Sequence, residues 1–569
     1  GVYGIGQVPA SMIERVEVMR GGGSALFGSS AIAGTINIIT KEPMRNSGML
    51  SHTITGIGDG DVFDNSTALN ASLVTDDQRA GLYIFGQNRH RSAYDHDGDG
   101  YSEIPKLHGQ TIGFRSFLKT TTYSKLTFEY HHMEEFRRGG GLLNRPPHEA
   151  NVAEQTEHSI NGGGLKFDYF SPNENHRFNV FASAQHINRD SYYGPGDRDP
   201  LDAYGNTTDL NWMAGSQYVY SFGKCIFMPS DLTAGIEFNQ DKLEDNMWGY
   251  NRTVDQKVNI GSAFLQNEWK NDHWGFLIGG RLDKHNLIDH VIFSPRANLR
   301  YNPTENINLR FSYSSGFRAP QAFDEDLHVE NVGGNVAMVE LADNLKEERS
   351  QSLSASADIY HRFGAFQVNF LVEGFYTKLS DVFALTDGEV VDGILTRTRH
   401  NASGAQVLGL TLEGKMAYLN KIQVQAGVTL QQSHYSKPHI WNKEAPAVKK
   451  MMRTPNTYGY FTATYTPIKP LSIALSGTYT GSMLVPHEPV PGFLENPITV
   501  NTKDFFDIGL KAAYDFKLYK SMNLQLNAGI QNIFNAYQDD FDKGADRDSG
   551  YIYGPSLPRS FFAGVKISY

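Results

Sequence analysis

From about residue 47 to its C-terminus the chain alternates apolar and polar residues with a period of two. In the stretch 506–516 every even position is apolar or aromatic, while the odd positions are Asp, Gly, Lys, Ala and Asp. Leu232, Ala234, Ile236 and Phe238 alternate in the same way with Thr233, Gly235, Glu237 and Asn239. At the end of the chain Phe561, Ala563, Val565, Ile567 and Tyr569 share one face, and Gly564, Lys566 and Ser568 share the other. Such a pattern makes strands with one greasy and one polar side. These stretches often exceed the about 5–6 residues of a sandwich strand and match the about 9–11 that a tilted strand needs to cross a bilayer. Roughly 22 of them can be marked, an even number as a transmembrane barrel requires.

The connections supply an independent test, because such barrels have short turns at one rim and long loops at the other. Short turns fall at 75–78, 121–123, 171–174, 271–273, 302–305, 361–364, 419–421 and 468–470. Between them lie long polar or Gly/Pro-rich stretches at 134–155, 190–210, 316–348, 436–455, 484–504 and 538–558. The expectation is an all-β, transmembrane antiparallel β-barrel of about 22 strands over residues 44–569. Residues 1–43 read differently. A strand through Ile13 to Met19, a Gly hinge, a helical turn at Ser24 to Phe27 and a second strand at Ile36 to Thr40 make a small α+β piece ahead of the barrel.

Composition fits this picture without forcing it. The mean hydropathy of −0.41 looks like that of a soluble protein, and no run of 18 apolar residues exists to form a membrane helix. Barrel strands escape both measures, because they interleave polar positions. The 29 Tyr, 34 Phe and 56 Gly suit aromatic girdles and crowded bends. Cys225 stands alone, so no internal disulfide forms. A net charge of −11 argues against a nucleic-acid partner. The first residue is Gly1, with no charged-then-apolar leader, which reads as a piece whose N-terminal part is missing.

The run from Ile13 to Lys41 resembles the closing segment of the plug domain in TonB-dependent outer-membrane receptors. It carries Ile13-Glu14-Arg15-Val16-Glu17-Val18, then Arg20-Gly21, Ser24-Ala25-Leu26-Phe27-Gly28 and Gly34-Thr35-Ile36-Asn37-Ile38-Ile39-Thr40-Lys41. Gly22-Gly23 departs from the Pro that many members carry there. Phe317-Arg318-Ala319-Pro320 is similar to a family motif below a long extracellular loop. Asp343-Asn344-Leu345-Lys346-Glu347-Glu348 resembles the stretch closing that loop, without its prolines. Gln531-Asn532-Ile533-Phe534-Asn535, Pro558-Arg559 and the terminal Tyr569 resemble the C-terminal signature, whose last aromatic is the handle for barrel assembly. The resemblance implies residues 1–43 as the C-terminal part of a plug and residues 44–569 as the barrel. It implies uptake of a scarce nutrient across the outer membrane of a Gram-negative bacterium, first a ferric siderophore, alternatively cobalamin or haem. The work would come from the TonB–ExbB–ExbD complex, acting through a TonB box that this chain lacks. The ligand would be a small iron chelate or macrocycle, with outer-membrane lipid around the wall and a surface lipoprotein as a candidate partner. No cofactor is required.

Several residues carry chemistry. Arg15, Glu17 and Arg20 place charge where a plug meets a polar lumen wall, either as a latch that parts under load or as permanent docking pairs. Asp95, Asp97, Asp99, Tyr101 and Glu103 alternate around two glycines, as in a loop that converges oxygens on Ca²⁺. Lys106 at the twelfth position excludes a full EF-hand loop, and the bland alternative is a solvated acidic hairpin tip. Asp539 to Asp548 form a second, weaker acidic loop. His90, His131, His132 and His148 fall in or near expected extracellular loops, as haem or metal ligands or as scattered surface histidines. Tyr192, Tyr193, Trp248, Tyr250, Trp441, Tyr551 and Tyr553 either grip a ligand or pack the loops. Arg318 and Pro320 either touch ligand or shape the rim. No nucleophile–base grouping or phosphate loop points to an enzyme. A passive porin-like channel is the rival of another class, opposed by the plug-like segment.

Overall fold

The structure, a computed structural model, describes residues 10–21, 23–32, 34–195, 203–332 and 335–569. Residues 1–9, Gly22 and the middle of the 190–210 stretch therefore lie outside it. Twenty-two long antiparallel strands, from Ser47–Ile57 to Ser560–Ser568, close into one barrel. The last strand seals the ring against the first, with Leu50 opposite Ile567 and Thr53 opposite Gly564. A three-residue segment, Val448–Lys450, adds to the rim of the neighbouring strand Ile422–His439. No described helix is long and apolar enough to cross a membrane, so the strands alone do so.

The alternation sorts itself as the sequence pattern requires. Ile236, Leu265 and Ile278 point outward and are more than half exposed, at 62, 56 and 63%. Phe506, Leu510, Tyr514 and Phe516 are exposed on one face of Phe505–Tyr519. In water such exposure would be costly, whereas against lipid it is the favourable arrangement. The polar faces line the bore.

The short turns lie where the pattern puts them, with small shifts: the hairpin expected at 361–364 turns after Phe363, and the one at 302–305 after Thr304. The other rim departs from a simple rule. Connections 58–61, 248–251 and 286–291 are short although they lie on the long-loop side. Seven consecutive strands, Ser102–Thr121 through Arg252–Lys270, run 17–22 residues. That is about twice what the bilayer needs, so one side of the wall stands tall above it. Much of the expected loops 134–155 and 190–210 is consequently strand. Above the lipid both faces of a strand meet water, and polarity there marks solvent rather than a loop.

The largest apolar cluster sits neither in the bore nor in the bilayer. Tyr192, Tyr193, Met247, Tyr250, Val329, Val336 and Met338 pack together beneath the extracellular connections. There the connections 319–347 and 381–404 build a four-stranded sheet of Glu330–Val332, Asn335–Leu341, Ile394–Asn401 and Phe383–Val391. The result is a canopy with its own core.

Inside the barrel, Ile13–Arg20 pairs antiparallel with Gly34–Thr40, and the four-residue helix Ser24–Phe27 lies between them. The three elements expected from the sequence are all present. The strand of eight residues spans about 25 Å at about 3.3 Å per residue.

Candidate functional site

Two sets of contacts define what the molecule can do: the seam between the small domain and the wall, and the underside of the canopy. At one end of the hairpin the Arg20 guanidinium reaches Glu373 at 3.2 Å and Glu413 at 3.0 Å. At the other end Glu42 meets Arg115 at 3.1 Å and Lys125 at 2.9 Å, and Arg115 also bonds Thr40. Glu373 and Glu413 lie on strands about halfway around the ring from those of Arg115 and Lys125. The hairpin is a strut across the bore.

Close backbone approach completes the seam. Ser24 Oγ accepts from the amide of Phe317, the Ser30 amide donates to the Phe317 carbonyl, and Ser350 Oγ donates to the Ile32 carbonyl. A Cβ on Gly316 would come within 2.5 Å of the Ala31 carbonyl oxygen, so only glycine allows that approach. Gly21 turns the chain with φ +78° directly against Ser352, a conformation L side chains avoid.

Of the three residues expected to latch the plug, Arg20 alone reaches the wall. Arg15 and Glu17 pair with each other at 2.8 Å, and Asn37 also donates to Glu17. They sit on the strut's own surface. Sequence reading missed Glu42, Arg115 and Lys125, because a carboxylate just past a strand end has no local signature of its distant partner.

Above the strut, the canopy is tied by buried guanidinium groups. Arg397 meets Asp387 at 3.0 Å, Glu330 at 2.8 Å and Glu488 at 3.1 Å. Asn442 donates to both Asp387 and Glu488. Three connections, 319–347, 381–404 and 481–504, thus meet at one side chain, and Asn442 ties in a fourth, 440–456, through the same two carboxylates. Burial pushes the Glu488 carboxyl up to about 7, against the pull of Arg397. The Glu488 amide donates to Asp548, and His487 bonds Asp542 at 3.0 Å, which brings in the connection 532–559. Burial also raises the Asp548 carboxyl.

The acidic hairpin tip enters the same fabric. Oxygens of Asp95, Asp97 and Asp99 lie within 4.8 Å of one another. Glu103 is not in that cluster, since its oxygens accept from the His96 amide and from Arg547. Arg547 binds Asp99 and, at 2.9 Å, Glu103, and lies over the Tyr101 ring. The Gly544 amide donates to Asp99, and Lys543 is 3.5 Å from Asp97. The two acidic loops marked separately in the sequence are therefore one joint, in which an arginine takes part of the role expected of a cation.

The four histidines do not converge. His131 and His132 belong to the wall strand Ser124–Gly140, not to a loop. Period two points them to opposite sides of that wall: His131 borders the strut with Met12 and Lys41, and His132 bonds Asn161. His90 stands edge-on to His108 at 5.7 Å, and His148 bonds Tyr204. Among the loop aromatics, Tyr192, Tyr193, Tyr250, Trp441, Tyr551 and Tyr553 are buried, and Trp248 is exposed. They pack the canopy. Arg318 bonds Glu325 and lies 4.0 Å from the Phe323 ring centre, while Ala319 before Pro320 is fully buried. The rim-shaping reading of this pair accounts for those contacts.

Beneath the canopy a cavity of about 390 Å³ opens between the tall wall and the connections 319–347 and 532–559. That volume suits a small molecule. A lipid-facing barrel with a strut across its bore and a roofed cavity above defines a plugged outer-membrane receptor.

The family comparison agrees. The model "TonB dependent receptor-like, beta-barrel" matches residues 47–533 and "TonB-dependent Receptor Plug Domain" matches residues 1–35, so the chain belongs to the TonB-dependent receptor family of the outer membrane. An iron-regulated outer membrane virulence protein of Vibrio cholerae is 25% identical over 345 residues, 58% of this chain and 48% of that protein. The vitamin B12 transporter BtuB of Vibrio vulnificus is 22% identical over 337 residues, 57% of this chain and 50% of that protein. The chain thus spans about half the length of these relatives. The siderophore receptor PirA of Acinetobacter baumannii superposes with a TM-score of 0.77 at 16% identity, covering 99% of this chain and 86% of PirA. That likeness speaks for the fold.

Proposed function

We propose that the intact receptor imports a chelated metal nutrient across the outer membrane, in the first place a ferric siderophore. The TonB–ExbB–ExbD complex would supply the work by pulling on the plug. The observation that carries this reading is the strut across the bore together with a roofed cavity among the outer connections. In the intact receptor such an arrangement would bind from outside and let the ligand pass only when the plug, of which the strut is a part, rearranges. The iron-regulated and siderophore-receptor relatives support iron as the cargo. Cobalamin is the second reading, supported by the vitamin B12 transporter among the relatives. A passive channel is disfavoured by the same strut.

The test is growth of a deletion strain, complemented with the intact gene, on single sources of ferric siderophore, haem or limiting cobalamin. Rescue by siderophore supports the first reading, and rescue by cobalamin alone replaces it with the second. A large, steady conductance in planar bilayers without TonB overturns both.

A further inference from the structure

The cavity beneath the canopy is lined by more carboxylates than guanidinium groups, and most of both are paired: Glu103 with Arg547, Glu330 with Arg397 and Asp542 with His487, while Glu154 is 43% exposed. Glu103, Glu154, Glu330, Asp542 and Asp548 line it. Against them stand Arg137 and Arg547 among the described residues. Both are already engaged: Arg137 with Glu135 at 2.7 Å, Arg547 with Asp99 and Glu103. The lining imidazole, His328, stands edge-on to Tyr193 and 4.0 Å from Glu154. Asp548 is buried and held by the amides of Glu488 and Gly550, with no guanidinium or ammonium among its hydrogen-bond partners.

The surroundings have the same sign. Among the described residues, the nine outer connections that contain charge, taken between successive barrel strands, hold 27 Asp and Glu against 12 Lys and Arg, or −15. The whole chain is −11, so everything else is net positive by 4. Negative charge is concentrated at the mouth. A polyanion approaching it meets like charge at long range and, inside the cavity, would have to strip an arginine from its carboxylate.

We propose that the ligand of this cavity bears no net negative charge: it is a neutral or cationic metal chelate rather than a polyanionic one. The inference rests on the uptake reading above and narrows its substrate class. Charge complementarity of this kind acts on encounter rate and on partner choice.

The experiment uses the receptor folded in detergent, its folding verified by heat-modifiable mobility. It is titrated by tryptophan fluorescence quenching with three ferric chelates of similar size: a cationic trihydroxamate, a neutral trihydroxamate and a trianionic tris-catecholate. Cobalamin and haem are run alongside. The cationic and neutral chelates are expected to bind at least about tenfold more tightly than the trianion at low ionic strength. The gap should shrink in about 0.5 M salt, where screening is strong. Glu154→Gln, on a barrel strand, should weaken the cationic chelate most, and Asp548→Asn in the canopy should act in the same direction. A trianion that binds as tightly as the others, or more so, overturns the charge inference and leaves uptake of an iron chelate standing. Binding of no chelate, corrinoid or haem overturns both.

Discussion

The seam between strut and wall and the canopy above it use the same chemistry in opposite ways. At the seam Arg20 is half exposed and reaches two carboxylates on neighbouring wall strands. In the canopy Arg397 is 14% exposed and holds three carboxylates from three connections, two of them 10% exposed and bridged by Asn442, and Glu330 40% exposed. An exposed pair in water is worth little, about 0–1 kcal/mol. Removing one partner from a buried set costs about 3–5 kcal/mol, because the remaining charge is stranded. At the seam the Arg20 guanidinium is one that solvent can reach, and the strut is held besides by close backbone contacts at Phe317 and Gly316, whereas the canopy gathers its connections around a few arginines.

The sharpest way to break that contrast is Arg397→Ala. It strands Asp387 and Glu488, while the more exposed Glu330 is resolvated, and should destabilise the canopy by about 3 kcal/mol. Limited proteolysis should cut the connections 381–404 and 481–504 quickly while the barrel stays folded. Wild-type resistance in the variant would remove the hub from the argument. Next in size is the wall itself. Ile236→Arg puts a charge on the lipid face and should cost about 2–4 kcal/mol near the bilayer middle, read as a lower urea midpoint for folding into vesicles.

The pH response of the canopy is smaller. The Glu488 carboxyl is raised by burial from its ordinary value to about 7, with Arg397 pulling down and Asp387 and Asp548 pushing up. A raised carboxyl favours the protonated, closed form. Its contribution is complete below the ordinary value of 4.5 and is lost as pH rises through about 7. Proteolytic protection of the canopy should therefore fall between about pH 5 and 8. Glu488→Gln should flatten that profile, and an unchanged profile would show that another group governs it. Smallest is Arg20→Ala at the seam, expected to change overall stability by at most about 1 kcal/mol. Its effect should instead be seen as more frequent brief openings in planar bilayers. A loss of several kcal/mol there would erase the distinction between seam and canopy.

Period-two alternation, the parity of the short turns and the helix Ser24–Phe27 were legible along the chain. All are local properties: which side of a strand a residue faces follows from its own position, and lipid or water then selects the residue. Even the separation of His131 from His132 follows from that rule, although counting histidines in a polar stretch concealed it. The sequence by itself thus determined a lipid-facing wall with a small α+β domain ahead of it. Only the tertiary structure decided that Glu42 faces Arg115 and Lys125, that Arg547 closes on the Asp99 loop, and that Arg397 gathers three connections. Those partners are up to several hundred residues apart. Nothing periodic marks them, because a loop's partners depend on which loops the closed ring brings overhead.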